Sequence, residues 1–138
     1  MKYSTPLELI TVRMQALRQG DFGPIYDSYH AEAPFLMHFA TKADYLAFAE
    51  QQLANIVLSD WKDLGQREIK PDEVEILLWM SIGEGSAAQD FFELALLLQV
   101  ENGWLYHSAQ KLSREDYVGE VEDLSFCHFD QAEQKIRF

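Results

Sequence analysis

The spacing of apolar residues changes period once along this chain, near Leu58, dividing a helical first part from a strand-rich second part. In the first part, Leu7, Ile10, Met14 and Leu17 recur at helical intervals behind Thr5-Pro6-Leu7-Glu8. Thr5 suits an N-cap, Pro6 the first helical position and Glu8 the return contact of a capping box, so a helix is predicted that Gly20 stops. Asp21-Phe22-Gly23-Pro24 restarts a short helix with Ile25, Tyr26 and Tyr29 on its apolar side, and Pro34 ends that region. A third helix starts at Thr41, with Asp44 at its third position. Its predicted buried stripe is Tyr45, Phe48, Ala49, Gln52, Leu53 and Ile56.

After Leu58 the period becomes two. Residues 61–69 read as a bent strand with Gly65 at a bulge, and Pro71-Asp72 as a turn. Residues 73–82 alternate, with Val74, Ile76, Leu78, Met80 and Ile82 on one face and Leu77 and Trp79 on the other. Gly83-Glu84-Gly85-Ser86 is the next turn. Asn102-Gly103, between apolar runs at about 89–101 and 104–111, carries the strongest short-range hairpin signal, because a type I′ turn needs positive φ at both central residues. A two-residue loop there sets Glu101 opposite Trp104, Val100 opposite Leu105 and Leu98 opposite His107. Leu105, His107 and Ala109 then share the face of Leu94, Leu96 and Leu98, which is taken as the side under the helices. Helices followed by antiparallel strands predict an α+β domain, with N-terminal helices packed on one face of a curved antiparallel sheet. Both sheet faces carry apolar side chains, so the second face needs a cover. A homodimer through the outer sheet face is expected, with the C-terminal segment as the other occupant that fits the same pattern. Trp79 is assigned to that interface.

The length of 138 residues fits one domain, read as a core over about 4–112 and an acidic C-terminal extension over 113–138. With 23 acidic against 11 basic residues the net charge is −12, and the basic residues are scattered singly. Such a chain repels phosphate backbones and anionic lipid, so no nucleic acid and no membrane partner is expected. The start carries no basic segment followed by an apolar one, and no apolar run approaches the ~20 residues of a membrane span. A soluble cytoplasmic protein is the expectation. Cys127, the single cysteine, excludes an internal disulfide and a multi-cysteine zinc cluster.

The order of several short motifs resembles one family. Thr5-Pro6-Leu7-Glu8-Leu9-Ile10, Arg13, Gly20-Asp21-Phe22, Trp61-Lys62-Asp63-Leu64 and Asn102-Gly103-Trp104-Leu105-Tyr106 together look like the YchJ-like domain of the nuclear-transport-factor-2-like cone superfamily, over roughly residues 4–112. The resemblance implies the cystatin-like cone, helices first and then a curled sheet around a pocket. It implies no settled activity. The SEC-C-type zinc motifs of full-length relatives are missing, and His107 stands where those relatives carry an apolar residue.

Residues expected to line such a pocket are Tyr26, His30, His38, Tyr45 and His107. His107, taken to sit among leucines, is the expected neutral base or donor if the pocket does chemistry. Asp27 and His30, three residues apart on one helical turn, are within reach of each other. No His-x-His, His-Glu-x-x-His, Gly-x-Ser-x-Gly, phosphate loop or dinucleotide fingerprint occurs, so no metal and no cofactor is expected. Two functions remain open. One is a binding or protein-interaction module, which could take a small apolar ligand. The other is a cofactor-independent enzyme of isomerase or dehydratase type, with His107 or His30 as base and Tyr26 or Tyr45 as hydrogen-bond donor.

Overall fold

The computed structural model describes residues 3–101 and 103–132. Helix α1 (Pro6–Gln19) begins as its sequence predicts: the Thr5 hydroxyl accepts from the Glu8 N–H at 3.1 Å, and Gly20 closes it at φ 67°. The Glu8 carboxylate reaches one residue further back than a capping box does, accepting from the Ser4 N–H at 3.1 Å and the Ser4 hydroxyl at 2.6 Å. The buried face is also displaced from the predicted stripe. Leu9, Ile10 and Met14 are buried, whereas Leu7 is 39% exposed. That rotation puts Arg13, between Leu9 and Leu17 on the same face, toward the interior.

Helix α2 (Phe22–Asp27) follows after Gly20, and helix α3 (Lys42–Gln52) is capped by the Thr41 hydroxyl, which accepts from the Asp44 N–H at 3.2 Å. Tyr45 and Ala49 of α3 are buried; Gln52 is exposed, because the helix stops there and Leu53 and Ile56 turn in from the chain that follows. A short 3₁₀ helix, Pro34–His38, links α2 to α3.

Four strands, β1 (Leu58–Lys70), β2 (Glu73–Ile82), β3 (Gln89–Val100) and β4 (Gly103–Ser113), form one curved antiparallel sheet in the order β1-β2-β3-β4. Gly65 lies at a register shift in the β1–β2 pairing, the bulge its sequence suggested. Between β2 and β3, Gly83 has φ 121°, and a Cβ there would stand 2.8 Å from both the Ala87 carbonyl oxygen and the Ala88 Cα. Gly83→Ala is therefore expected to cost about 1–3 kcal/mol in urea unfolding. A loss under ~0.5 kcal/mol would mean that this turn rearranges freely.

The β3–β4 hairpin differs from its predicted register. Val100 pairs with Gly103 and Leu98 with Leu105, so the loop begins at Glu101, which takes φ 44°. Asn102, its expected centre, lies outside the described residues. A second irregularity between Leu96 and Leu97 sets Tyr106 opposite Leu97 but Ser108 opposite Leu96, leaving His107 as the extra residue of a bulge. The helices pack on the other side from the one expected: Leu9, Ile10 and Met14 of α1 meet the face of Ala95, Leu97, Trp104, Tyr106 and, because of the bulge, Ala109, joined by Val74, Ile76, Leu78 and Met80 of β2. The Leu94 face is the outer one.

That outer face is covered by the chain itself. Leu77, Phe92 and Leu94 pack with Tyr117, Leu124 and the fully buried Phe129 of helix α4 (Phe126–Asp130), with Trp79 and Leu112 beside them. Arg67 on β1 latches the segment, donating to Glu75 at 2.7 Å and through both terminal nitrogens to Asp130 at 2.9 and 2.8 Å. Arg114 does the same at the other end, bonding Asp90 at 2.8 Å and the carbonyl of Gly119. Trp79, assigned to a partner interface, donates its indole N–H to Asp90 at 2.8 Å within this layer. Of the apolar residues from which a homodimer was expected, Leu77 and Trp79 thus lie under the C-terminal segment, and Ala95, Leu97, Trp104 and Tyr106 lie under the helices. Among the described residues no helix is long and apolar enough to cross a membrane.

Candidate functional site

Arg13 organises the space between the helices and the sheet. Its guanidinium lies 3.7 Å from the centroid of the Tyr106 ring and 4.7 Å from that of Tyr29. Nη1 donates to the Ser28 hydroxyl at 2.6 Å and to the Ile25 carbonyl at 3.4 Å. Aromatic faces and hydrogen-bond acceptors replace part of the water that a charge on this apolar face loses. Burial works against the Arg13 charge, but the oxygens of Tyr29, Tyr106 and Glu93 outweigh it and its pKa is raised.

Tyr106 is held from both sides of β4. Its N–H donates to the Ser28 carbonyl and its carbonyl accepts from the His30 N–H, each at 2.8 Å, which ties the chain after α2 to the outer edge of the sheet. Its hydroxyl donates at 3.1 Å to Glu93 of β3, a carboxylate that is 8% exposed. Lys111 stands opposite Glu93 in the β3–β4 ladder, so both leave the same sheet face. Burial and the neighbouring Glu93 charge push the Tyr106 hydroxyl well above its ordinary pKa. Burial and Tyr29 push that of Tyr45, on α3, to about 12. Both phenols are donors at neutral pH.

These groups border a cavity of about 400 Å³. Its wall is mostly apolar: Met14 and Leu17 of α1, Phe48 of α3, Met80 and Ile82 of β2, and Phe35 of the 3₁₀ helix. Arg13, Glu93, Lys111 and the tyrosines 29, 45 and 106 supply its polar atoms. The aromatic side is rigidly packed, with Tyr29 perpendicular to Tyr106 at 5.5 Å and Phe35 edge-on to Tyr45 at 6.4 Å.

Of the five residues expected to line a pocket, Tyr45 does. Tyr26 is packed behind it, 5.3 Å from the Tyr45 ring, and His38 is exposed on the 3₁₀ helix against Phe35 and Phe39. His30 accepts from the Glu32 N–H at 3.0 Å, and its ring is 6.0 Å from that of His107. His107 Nδ1 lies 2.8 Å from the Ser108 hydroxyl. None of these three histidines is a cavity-lining residue, and neither is Tyr26. The reason for His107 is that the helices cover the face of Ala95 and Leu97, not the Leu94 face with which His107 was grouped. Asp27, expected beside His30, accepts instead from Lys42 at 2.9 Å.

Sequence reasoning overlooked Arg13, Tyr29, Glu93, Tyr106 and Lys111 as site residues. Two signals were present. Arg13 interrupts the apolar face of α1, and Glu93 interrupts the apolar run of β3 on a face otherwise set by Ala95 and Leu97. Among the described residues no three His, Cys, Asp or Glu side chains are grouped to hold a metal ion. Comparison of the chain with protein-family models, curated proteins and solved structures finds no match.

Proposed function

We propose that this protein is a cone-type, YchJ-like domain that binds a small, mostly apolar molecule between its helices and its sheet. The observation that carries this reading is the cavity of about 400 Å³, apolar along its wall, with charged and phenolic groups converging on it. A module working only through its outer surface needs no such space, and leucine or phenylalanine side chains would fill it at native packing density. The proton-transfer alternative named His107 or His30 as base. Both lie off the cavity, so binding is the better supported of the two functions.

The test is titration with prodan, a neutral naphthalene dye whose emission reports an apolar environment. Saturable binding is expected, with one dye per chain. Ile56→Trp, which sets an indole on the cavity wall, is expected to weaken it about tenfold or more while leaving the unfolding temperature within a few degrees of the parent. Absence of saturable binding, or equal binding by the variant, removes the cavity as the site.

A further inference from the structure

We infer that the molecule held in this cavity is a monocarboxylate with a bulky apolar body, its carboxylate received by Arg13. The inference rests on the ligand-binding reading above and names its ligand class. Three ionisable side chains other than tyrosine line the cavity: Arg13, Lys111 and Glu93. Two cations against one carboxylate leave one positive charge in excess, and Arg13 is the cation seated against the Tyr29 and Tyr106 rings. An excess of positive charge in an apolar space runs against a chain whose net charge is −12.

The geometry of Arg13 agrees. A guanidinium has about five N–H donors in a fixed fork that matches a carboxylate. Nη1 is committed to Ser28 and Ile25, and the Tyr29 hydroxyl interacts with the group as well. Donors remain on a side chain that lines the cavity. No carboxylate among the described residues lies within ion-pair distance of Arg13, and Glu93 bonds the Tyr106 hydroxyl instead. Tyr106 and Tyr29 hold the guanidinium in place before any ligand arrives, so little side-chain entropy is lost on binding. A dianion such as a phosphate would meet one uncompensated cation with Glu93 nearby, whereas a monoanion balances it. The aromatic wall from Phe35 to Phe48 suits a ring-bearing body, through edge-to-face contacts.

The experiment is calorimetric titration of the intact protein with naphthylacetate and with naphthylethanol, which share a ring system and differ in the anionic end. The acid is expected to bind about tenfold tighter than the alcohol, a preference that Arg13→Gln abolishes. The acid-to-alcohol ratio of the parent protein decides the matter even if Arg13→Gln does not fold. Alcohol binding as tight as the acid overturns the carboxylate inference and leaves the cavity reading standing. Binding of neither probe overturns both.

Discussion

Phe129→Ala is expected to lower the unfolding free energy by about 3–5 kcal/mol, a large share of the roughly 5–15 kcal/mol of an ordinary domain. Phe129 is fully buried on a helix of five residues, far too short to persist by itself, so α4 exists only through what it packs against. Its ring is part of the layer that closes Leu77, Phe92 and Leu94 from water. Truncation removes the transfer free energy of the ring and leaves a void under a segment held otherwise by the Arg67 and Arg114 contacts. Urea unfolding measures the loss. Sedimentation supplies a second readout, because the uncovered outer face is an apolar sheet surface, and self-association is expected as the segment lifts. A loss below ~1 kcal/mol would show that the C-terminal layer is not part of the cooperative fold.

Stability should also fall at alkaline pH, and Tyr45 is the residue that reports it. Its hydroxyl is raised by burial from the ordinary value of 10.0 to about 12, with Tyr29 adding to the effect. The folded chain therefore holds this proton more tightly than the unfolded chain does. The resulting contribution, about 3 kcal/mol, is fully present below pH ~10 and is lost as the pH rises toward ~12. Tyr106 is raised in the same direction by burial and by Glu93, and steepens the decline. Tyr45→Phe cannot ionise. It is expected to match the parent near neutral pH and to become the more stable of the two above pH ~10.5. Urea midpoints across that range settle it; parallel curves would mean that the phenol is solvated in the folded state.

Local chemistry was sufficient for several of the elements. Thr5, Pro6 and Gly20 specify the ends of α1 through one hydroxyl, one fixed φ and one positive φ, none of which depends on the rest of the chain. The alternation over 73–82 likewise determines the faces of β2, since its two sets of side chains differ enough in polarity to allow one register. The α+β layering follows from the order of these elements.

The site was not legible in the same way, because its parts come from helices α1 and α3, the 3₁₀ helix and strands β2, β3 and β4, and depend on a register. The choice of which sheet face the helices cover decides that Tyr106 reaches the cavity and His107 does not, and one extra residue in β4 brings Ala109 onto the Tyr106 face; neither has a sequence signature comparable to a helix cap. Arg13 interrupts the apolar face of α1, but only the seating of that helix over the sheet brings it to Tyr29 and Tyr106. The cover of the outer face was one of two occupants compatible with the same apolar pattern, and the Arg67–Asp130 contact selecting the C-terminal segment joins residues 63 positions apart. What the sequence alone determined was where α1, α2, α3 and β2 begin and which positions along them are apolar, since caps and alternation act between neighbours. Tertiary structure alone decided which apolar face meets which, and so where a cavity remains, because that choice depends on register, bulges and long-range contacts that no local pattern encodes.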